Sequence, residues 1–339
     1  MTVLAATSSL VPRPLRQPFA ALLLGSLLAL LASPAPAAPA KAMRAPYIDQ
    51  GEACLPPPLP AKVLYLAGDA WKLDAKGKQT PLAEGMDIDE LEGVRTSSSA
   101  FVSLLLGDGS RIVLPSSSEV SLHLDEKHGI AQVALHAGQV ESYVLKRKSD
   151  NDRFQVLTPV GVLGVRGTHF RVRTEDGQAL AEVLTGRVAA NRDLTSEGLP
   201  INGKRPPHKP LRARAEPDEE VLVEARRGLK VKPQGTLTPV DLLPAPQLRG
   251  QGGERGQPSV WKLYLAPLPG ATRYRAQVAS DPSFLRIQQE RFSSTPEVSF
   301  NNLKAAFYHV RLSAIDENGL EGETSVYDIL YYPRGGNAP

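Results

Sequence analysis

The chain has 339 residues, a formal net charge of +3 and only 22% charged residues, which leaves room for two or three domains once leaders and connections are set aside. Thirty prolines, 28 glycines and short helix-favouring stretches point to many short strands separated by turns. The near-neutral charge excludes the strong basic footprint of a protein that coats nucleic acid.

The first element lies outside the fold. Arg13 and Arg16 flank the apolar run "FAALLLGSLLALLAS" (19–33), and "APAA" (35–38) follows with small residues at cleavage spacing. This layout predicts a signal peptide over residues 1–37, cut after Ala37. The run is shorter than the roughly 20 residues that cross a bilayer. No later stretch is long and apolar enough, so no integral span is expected once the leader is gone. Without the two leader arginines the charge falls from +3 to +1. Cys54 is the one cysteine, so no intramolecular disulfide framework exists. The preceding "DQGEA" lacks the apolar-small pattern of a lipidation site.

Residues 38–60 read as a Pro/Ala-rich linker closed by "LPPPLP" (55–60), a density of proline that favours extended, unpaired backbone. Strand patterns begin at Ala61. "KVLYLAGDAWKL" (62–73) carries β-branched and aromatic residues around a glycine. "AFVSLLLGDGSRIVLP" (100–115) is two apolar runs joined by Asp108-Gly109, a hairpin signal. "EVSLHL" (119–124) and "IAQVALHAGQVESYVL" (130–145) alternate, "THFRVRTEDG" ends in a second Asp-Gly at 176–177, and "QALAEVLTGRVAA" (178–190) completes the set. An internal echo links "VLYLAGDA", "VALHAGQV" and "AEVLTGRV", with Gly68, Gly138 and Gly186 in equivalent places. Such strand-glycine-strand units predict bends or bulges and a curved or solenoid-like β structure.

Residues 191–232 form a basic connection followed by further strands. "KRPPHKPLRAR" (204–214) reads as a solvated loop, and "EEVLVEARRGLKVK" (219–232) as a strand pair with a glycine turn. Residues 233–258 read as a second linker, rich in Pro and Gly, that leaves its neighbours free to reorient. The last region, 259–334, reads as a small β-sandwich with Trp261, Tyr274 and Tyr308 as its large core residues.

The glycine-rich stretch "TPVGVLGVRGTHFRV" (158–172) admits three readings. A phosphate-binding loop needs a following helix and a lysine, whereas "HFRVRTEDG" is a strand and a turn. A catalytic reading lacks a constellation. Thr168 and His169 point to opposite faces of a strand, and the six histidines (123, 128, 136, 169, 208, 309) show no metal-ligand spacing. His123 and Asp125 share a strand face, where they read as polar side chains turned to solvent. No catalytic, cofactor-binding or metal residue is therefore expected. The architectural reading remains: Gly161, Gly164 and Gly167 sit where the backbone needs positive φ or close approach, Val160, Val162 and Val165 stiffen the strand, and Arg166 requires a partner if buried.

Together with "LLGDGSRIVLPSSSEV" before it and "AEVLTGRVAA" after it, this stretch resembles the FecR domain, over about residues 62–190. The motif falls on Thr158, Pro159, Gly161, Gly164, Val165, Arg166, Gly167, Thr168 and Phe170. The resemblance implies an all-β, FecR-like domain over residues 61–190, of the kind found in the periplasmic part of iron-citrate-type signalling regulators and their exported relatives. The full regulators place a sigma-factor-binding segment and a membrane span before this domain; a signal peptide stands in that place here, so anti-sigma activity is not carried over. The C-terminal region is similar to a fibronectin type III module. The expectation is an exported, non-enzymatic periplasmic protein that binds a protein partner in envelope signalling or scaffolding. Binding of cell wall or polysaccharide is the alternative; it requires aromatic platforms, and aromatics are only 6% of the chain.

Overall fold

A computed structural model describes residues 57–332 apart from 126–129, 147–153, 193–219 and 255–256. The expected signal peptide, Cys54, His128, His208 and most of the basic connection lie outside the described residues. The described residues form strands and turns without helix, so none contributes a helix long and apolar enough to cross a membrane.

Seventeen strands build the first β unit. They are β1 (Ala61–Ala67), β2 (Ala70–Leu73), β3 (Gln79–Pro81), β4 (Asp87–Ile88), β5 (Gly93–Thr96), β6 (Phe101–Leu105), β7 (Arg111–Leu114), β8 (Glu119–Asp125), β9 (Ile130–Tyr143), β10 (Phe154–Thr158), β11 (Gly161–Val165), β12 (His169–Glu175), β13 (Gln178–Thr185), β14 (Arg187–Asn191), β15 (Val221–Glu224), β16 (Arg227–Val231) and β17 (Val240–Asp241). They pair into one sheet folded over itself. One layer runs β4-β1-β6-β7-β9-β12-β13-β16-β17, and the other runs β3-β2-β5-β8-β9-β10-β11-β14-β15. The apolar core lies between the layers and includes Val63, Ile112, Leu122, Val133, Phe154, Phe170 and Val183.

The fold in the sheet occurs at glycines. β1 passes to β2 across Gly68, β11 to β12 across Gly167, and β13 to β14 across Gly186, with φ of 76°, 77° and 84°. β9 changes layers within one strand: its first half pairs with β8 and its second half with β12, around Gly138 at φ 76°. A left-handed residue turns the strand by a sharp step that a side chain resists. Space closes the same positions: a Cβ on Gly138 would lie 2.3 Å from the Ser117 carbonyl oxygen, and one on Gly167 would lie 2.7 Å from Lys146 Cα. The three echo glycines thus occupy equivalent corners. The Asp176-Gly177 turn has φ of 51° and 70°, the doubly positive backbone that suits a two-residue hairpin.

One expected hairpin is absent. β15 and β16 pair with β14 and β13 in different layers. Between them stands another corner, at Arg226 with φ 68°. Gly228 lies within β16, where a Cβ would meet Leu242 and Leu320.

The second β unit has seven strands: β18 (Leu248–Glu254), β19 (Gln257–Leu265), β20 (Arg273–Ala279), β21 (Ile287–Ser293), β22 (Glu297–Asn301), β23 (Ala306–Ile315) and β24 (Ser325–Tyr331). They form a sandwich of a three-stranded sheet, β18-β19-β22, and a four-stranded sheet, β21-β20-β23-β24, the layered arrangement of fibronectin-like modules. Trp261, Tyr274 and Tyr308 are all in its core, at 2%, 4% and 3% exposure. Tyr308 Oη donates to the Lys304 carbonyl at 2.9 Å, a tyrosine corner at the start of the sixth strand.

The segment 233–258 does not behave as a free connection. It contains β17 and β18, Leu237 joins the first core, Leu242 packs with Leu180 and Leu320, and Leu243 and Leu248 pack on the second core. Leucines spaced among the prolines give the segment apolar anchors, and anchored backbone cannot serve as a swivel.

Candidate functional site

The family motif distributes over a turn, a strand and a corner. Thr158 and Gly161 pair at the end of the β10–β11 hairpin, and Thr158 Oγ1 donates to the Gly161 carbonyl at 2.8 Å. Pro159 is exposed in the turn, where its fixed φ suits the first central position. A Cβ on Gly161 would approach the Asn191 carbonyl oxygen to 2.8 Å. Gly164 does not meet the expectation of positive φ: it lies inside β11, paired with Gln155 and Ala189 in extended conformation. Val165 and Phe170 are core, Thr168 Oγ1 donates to the Arg187 carbonyl at 2.9 Å, and Arg166 is half-buried. The motif gathers no side chains around a cavity, and its fully buried arginine is Arg171, one residue beyond the family positions.

Arg171 opens onto a second feature, a seam of buried charge between the two β units. Along β12, Phe170 and Val172 face the first core, so His169, Arg171 and Arg173 face outward. In register, Arg171 stands opposite Glu141 on β9 and Glu182 on β13. On the second unit, Tyr274, Ala276 and Val278 face the sandwich core, while Arg275 and Gln277 point away from it, as do Arg311 and Ser313 on β23. The two outward faces meet, and the polar rows that would otherwise face water are buried: Arg171 is 0% exposed, Arg275 2% and Arg311 5%.

The pairing is dense. Arg311 forms a two-pronged pair with Glu141, Nη1 to Oε1 at 2.6 Å and Nη2 to Oε2 at 2.7 Å, and donates Nε–H to Gln277 Oε1 at 2.8 Å. Its guanidinium lies 4.6 Å over the Phe284 ring. Glu141 also meets His169 Nε2 at 2.7 Å and accepts from Tyr143 Oη at 2.9 Å. Glu321, from the turn after β23, is held by Arg171 Nη1 and Arg275 Nη1, each at 2.6 Å, and by Ser313 Oγ at 2.5 Å. Arg171 Nη2 caps the carbonyls of Glu321 and Gly322, both at 2.7 Å. Arg275 Nε donates to Glu290 at 2.6 Å. Ser103 Oγ reaches the Leu285 carbonyl at 2.5 Å. Apolar patches flank the charges: Phe101 and Val113 pack with Ala279, Phe284 and Ile287 on one side, and Leu180 packs with Leu242 and Leu320 on the other.

Environment sets the protonation states. Burial alone would raise Glu321, but Arg171, Arg275 and Ser313 outweigh it and lower its pKa to about 2. Burial acts the same way on Glu141, and Arg311 and His169 hold it well below the usual carboxylate range. Burial lowers His169 more than Glu141 raises it, which favours the neutral ring. Burial raises Glu182, and Arg171 and Arg173 do not cancel the effect. Arg171 Nε lacks a hydrogen-bond partner and lies 3.8 Å from Glu182 Oε2. Three buried guanidiniums, Arg171, Arg275 and Arg311, thus face the carboxyls of Glu141, Glu182, Glu290 and Glu321.

Tyr143, Glu141 and His169 have the composition of an acid–base relay. They are spent on one another: the His169 ring stacks on Tyr143 at 4.1 Å between centroids, and Glu141 is saturated by Arg311. Neither of two cavities elsewhere, one lined by Gln251, Trp261 and Tyr331 and one by Asp74, Ser121 and His136, includes these groups. Among the described residues no group of three or more His, Cys, Asp or Glu is placed to hold a metal ion.

The fold and seam define an all-β protein in which a folded-over sheet is joined face to face with a fibronectin-like sandwich. The family model described as FecR protein matches residues 92–189, a stretch that includes the motif, Glu141, Arg171 and Glu182. A crystal structure of a candidate anti-sigma factor from Parabacteroides distasonis aligns at 16% identity and a TM-score of 0.33, over 44% of this chain and 59% of that one. The chain therefore spans less than two thirds of that protein's length. The FN1–FN3 domains of chicken CNTN1 align at 9% identity and a TM-score of 0.22, over 81% of this chain and 98% of that one. At these values the two likenesses carry no functional argument. No curated protein matches the chain.

Proposed function

We propose that this is an exported, non-enzymatic protein of the Gram-negative periplasm that binds a protein partner in envelope signalling or scaffolding, without anti-sigma activity of its own. Three findings support the reading: the FecR match over residues 92–189, the signal-peptide layout of residues 1–37, and the seam. The seam carries most weight. Its charged groups are engaged within the chain, so they fix the two β units against each other instead of serving a substrate. Binding then falls to the surfaces that remain, such as the sheet ends at β15 and β24. Leu222 and Leu330 there are 51% and 54% exposed, and a strand edge is a template for a partner strand. Trp261 is buried and Trp71 half-buried, so neither is an open platform for sugar rings.

The test places a photo-crosslinking residue at Leu222 or Leu330 in cells, followed by fractionation and N-terminal sequencing. The reading expects a chain beginning near Ala38 in the periplasm and a discrete protein adduct from at least one position. Adducts to cell-wall glycan, or a chain retaining Met1 in the cytoplasm, would overturn it.

A further inference from the structure

A second polar cluster lies on the outer face of the other layer. β8 and β9 form an antiparallel pair with a register shift: Glu119 stands opposite Ala137, but Val120 stands opposite Leu135. His136 is the extra residue of this bulge. Bulges re-aim a side chain out of strict alternation, and the His136 ring is aimed at β8. Its Nε2 lies 2.8 Å from Ser121 Oγ, and His123 Nε2 lies 2.9 Å from the same oxygen.

Two imidazole nitrogens thus converge on one point, separated by no more than two hydrogen-bond lengths. A hydroxyl has a single hydrogen, so Ser121 can donate to only one ring, and the other ring must donate to it. A cavity of about 30 Å³ is lined by Ser121, His123 and His136 and also by Asp74 and Glu119, room enough for one ion or water. The two carboxylates are committed elsewhere: Glu119 Oε2 to Arg95 Nε at 2.7 Å, and Asp74 Oδ1 to the Lys76 and Lys78 amides, each at 2.8 Å. With one oxygen of each so engaged, they add negative potential beside the two rings.

We propose that His123 and His136 form a binding site for one divalent ion of the imidazole-seeking class, Zn²⁺, Ni²⁺ or Cu²⁺. Both Nε2 lone pairs turn to the ion, the ring that carried its hydrogen on Nε2 carries it on Nδ1, and Ser121 Oγ or water fills a further position. No proton is lost in this exchange. With two protein nitrogens the site stays open, so a partner's side chain can complete it.

The test uses the full, untagged chain with Cys54→Ser, titrated calorimetrically with ZnCl₂ and NiCl₂ and melted with and without each salt. Saturable binding of one ion per chain with a raised Tm is expected, and none with MgCl₂. His123→Gln and His136→Gln should each abolish it, while His309→Gln leaves it intact. Ser121→Ala keeps both rings and should bind at least as tightly, which guards against a histidine variant that fails to fold. Copper EPR of Ser121→Ala should show two nitrogen ligands. Absent saturable binding in the parent chain, binding that survives His136→Gln, or a Ser121→Ala variant that no longer binds would overturn the site.

Discussion

At Gly167 the backbone and the space act together: φ is 77°, and a Cβ would meet Lys146 Cα at 2.7 Å. At Gly177 φ is 70° with nothing within 4 Å of a Cβ. Gly177→Ala should therefore cost only backbone strain, about 1–3 kcal/mol. Gly167→Ala should cost distinctly more, and paired thermal melts check the order. An equal loss would mean that Lys146 moves aside freely. The motif glycines were legible as special positions, but their reasons were not: Gly167 needs its φ, Gly161 needs close approach, and Gly164 needs neither a left-handed φ nor a turn. Arg166 drew attention by standing in an apolar run, while Arg171 looked like an ordinary outward residue of an alternating strand. Arg171→Met strips Glu321 of one cation and the 321 and 322 carbonyls of their donors. Arg275 and Ser313 still hold the Glu321 carboxylate, but a buried carbonyl that loses its donor costs about 1–3 kcal/mol, so urea unfolding should report a loss of at least that order. A loss no greater than for an exposed arginine would mean that water enters the seam.

The elements were readable from alternation, from the Asp-Gly turns and from the echo of three glycines, which mark layer-changing corners. Alternation cannot say what covers the polar face. "HFRVRTE", "YRAQVA" and "VRLSAI" read as strands with one wet side, yet β12, β20 and β23 bury both sides. The signal was present as opposite charges on neighbouring strands, Glu141, Arg171 and Glu182 in register, but that ladder exists only once pairing is known. The bulge at His136 was invisible for the same reason. The paired strands also set the acid response. Glu141 and Glu321 have folded pKa values below the ordinary 4.5, Glu321 at about 2. Their stabilisation is full above pH 4.5 and is lost as pH falls toward those lowered values. His169, lowered from 6.5, works in the same direction: its contribution is full above 6.5 and declines below. Glu182 is raised, so its contribution is full below 4.5 and is lost as pH rises through its folded value. Melts should therefore show Tm declining from neutral pH into acid, steepest below 4.5. In the Glu321→Gln variant the drop below 4.5 should be shallower. An unchanged acid slope would place the responsible groups outside the seam.

At the scale of the whole molecule, strand patterns indicated an all-β architecture, which is present, and the described residues hold two large apolar cores. The relation between the cores was not legible. A stretch rich in Pro and Gly suggests freedom, and only the packing of Leu237, Leu242, Leu243 and Leu248 shows that it is fastened. Buried ion pairs are weak sources of net stability, since desolvation offsets their attraction. Their directional bonds select one relative placement of the two units, and a partner that reads surfaces on both would depend on that placement. Differential scanning calorimetry of residues 57–339 tests this most directly. One cooperative transition is predicted, splitting in a Glu141→Ala, Glu321→Ala variant into two transitions that match the separately expressed segments 57–242 and 243–339. Two transitions already present in the parent chain, at temperatures the double variant leaves unchanged, would contradict the coupling of the two units through the seam.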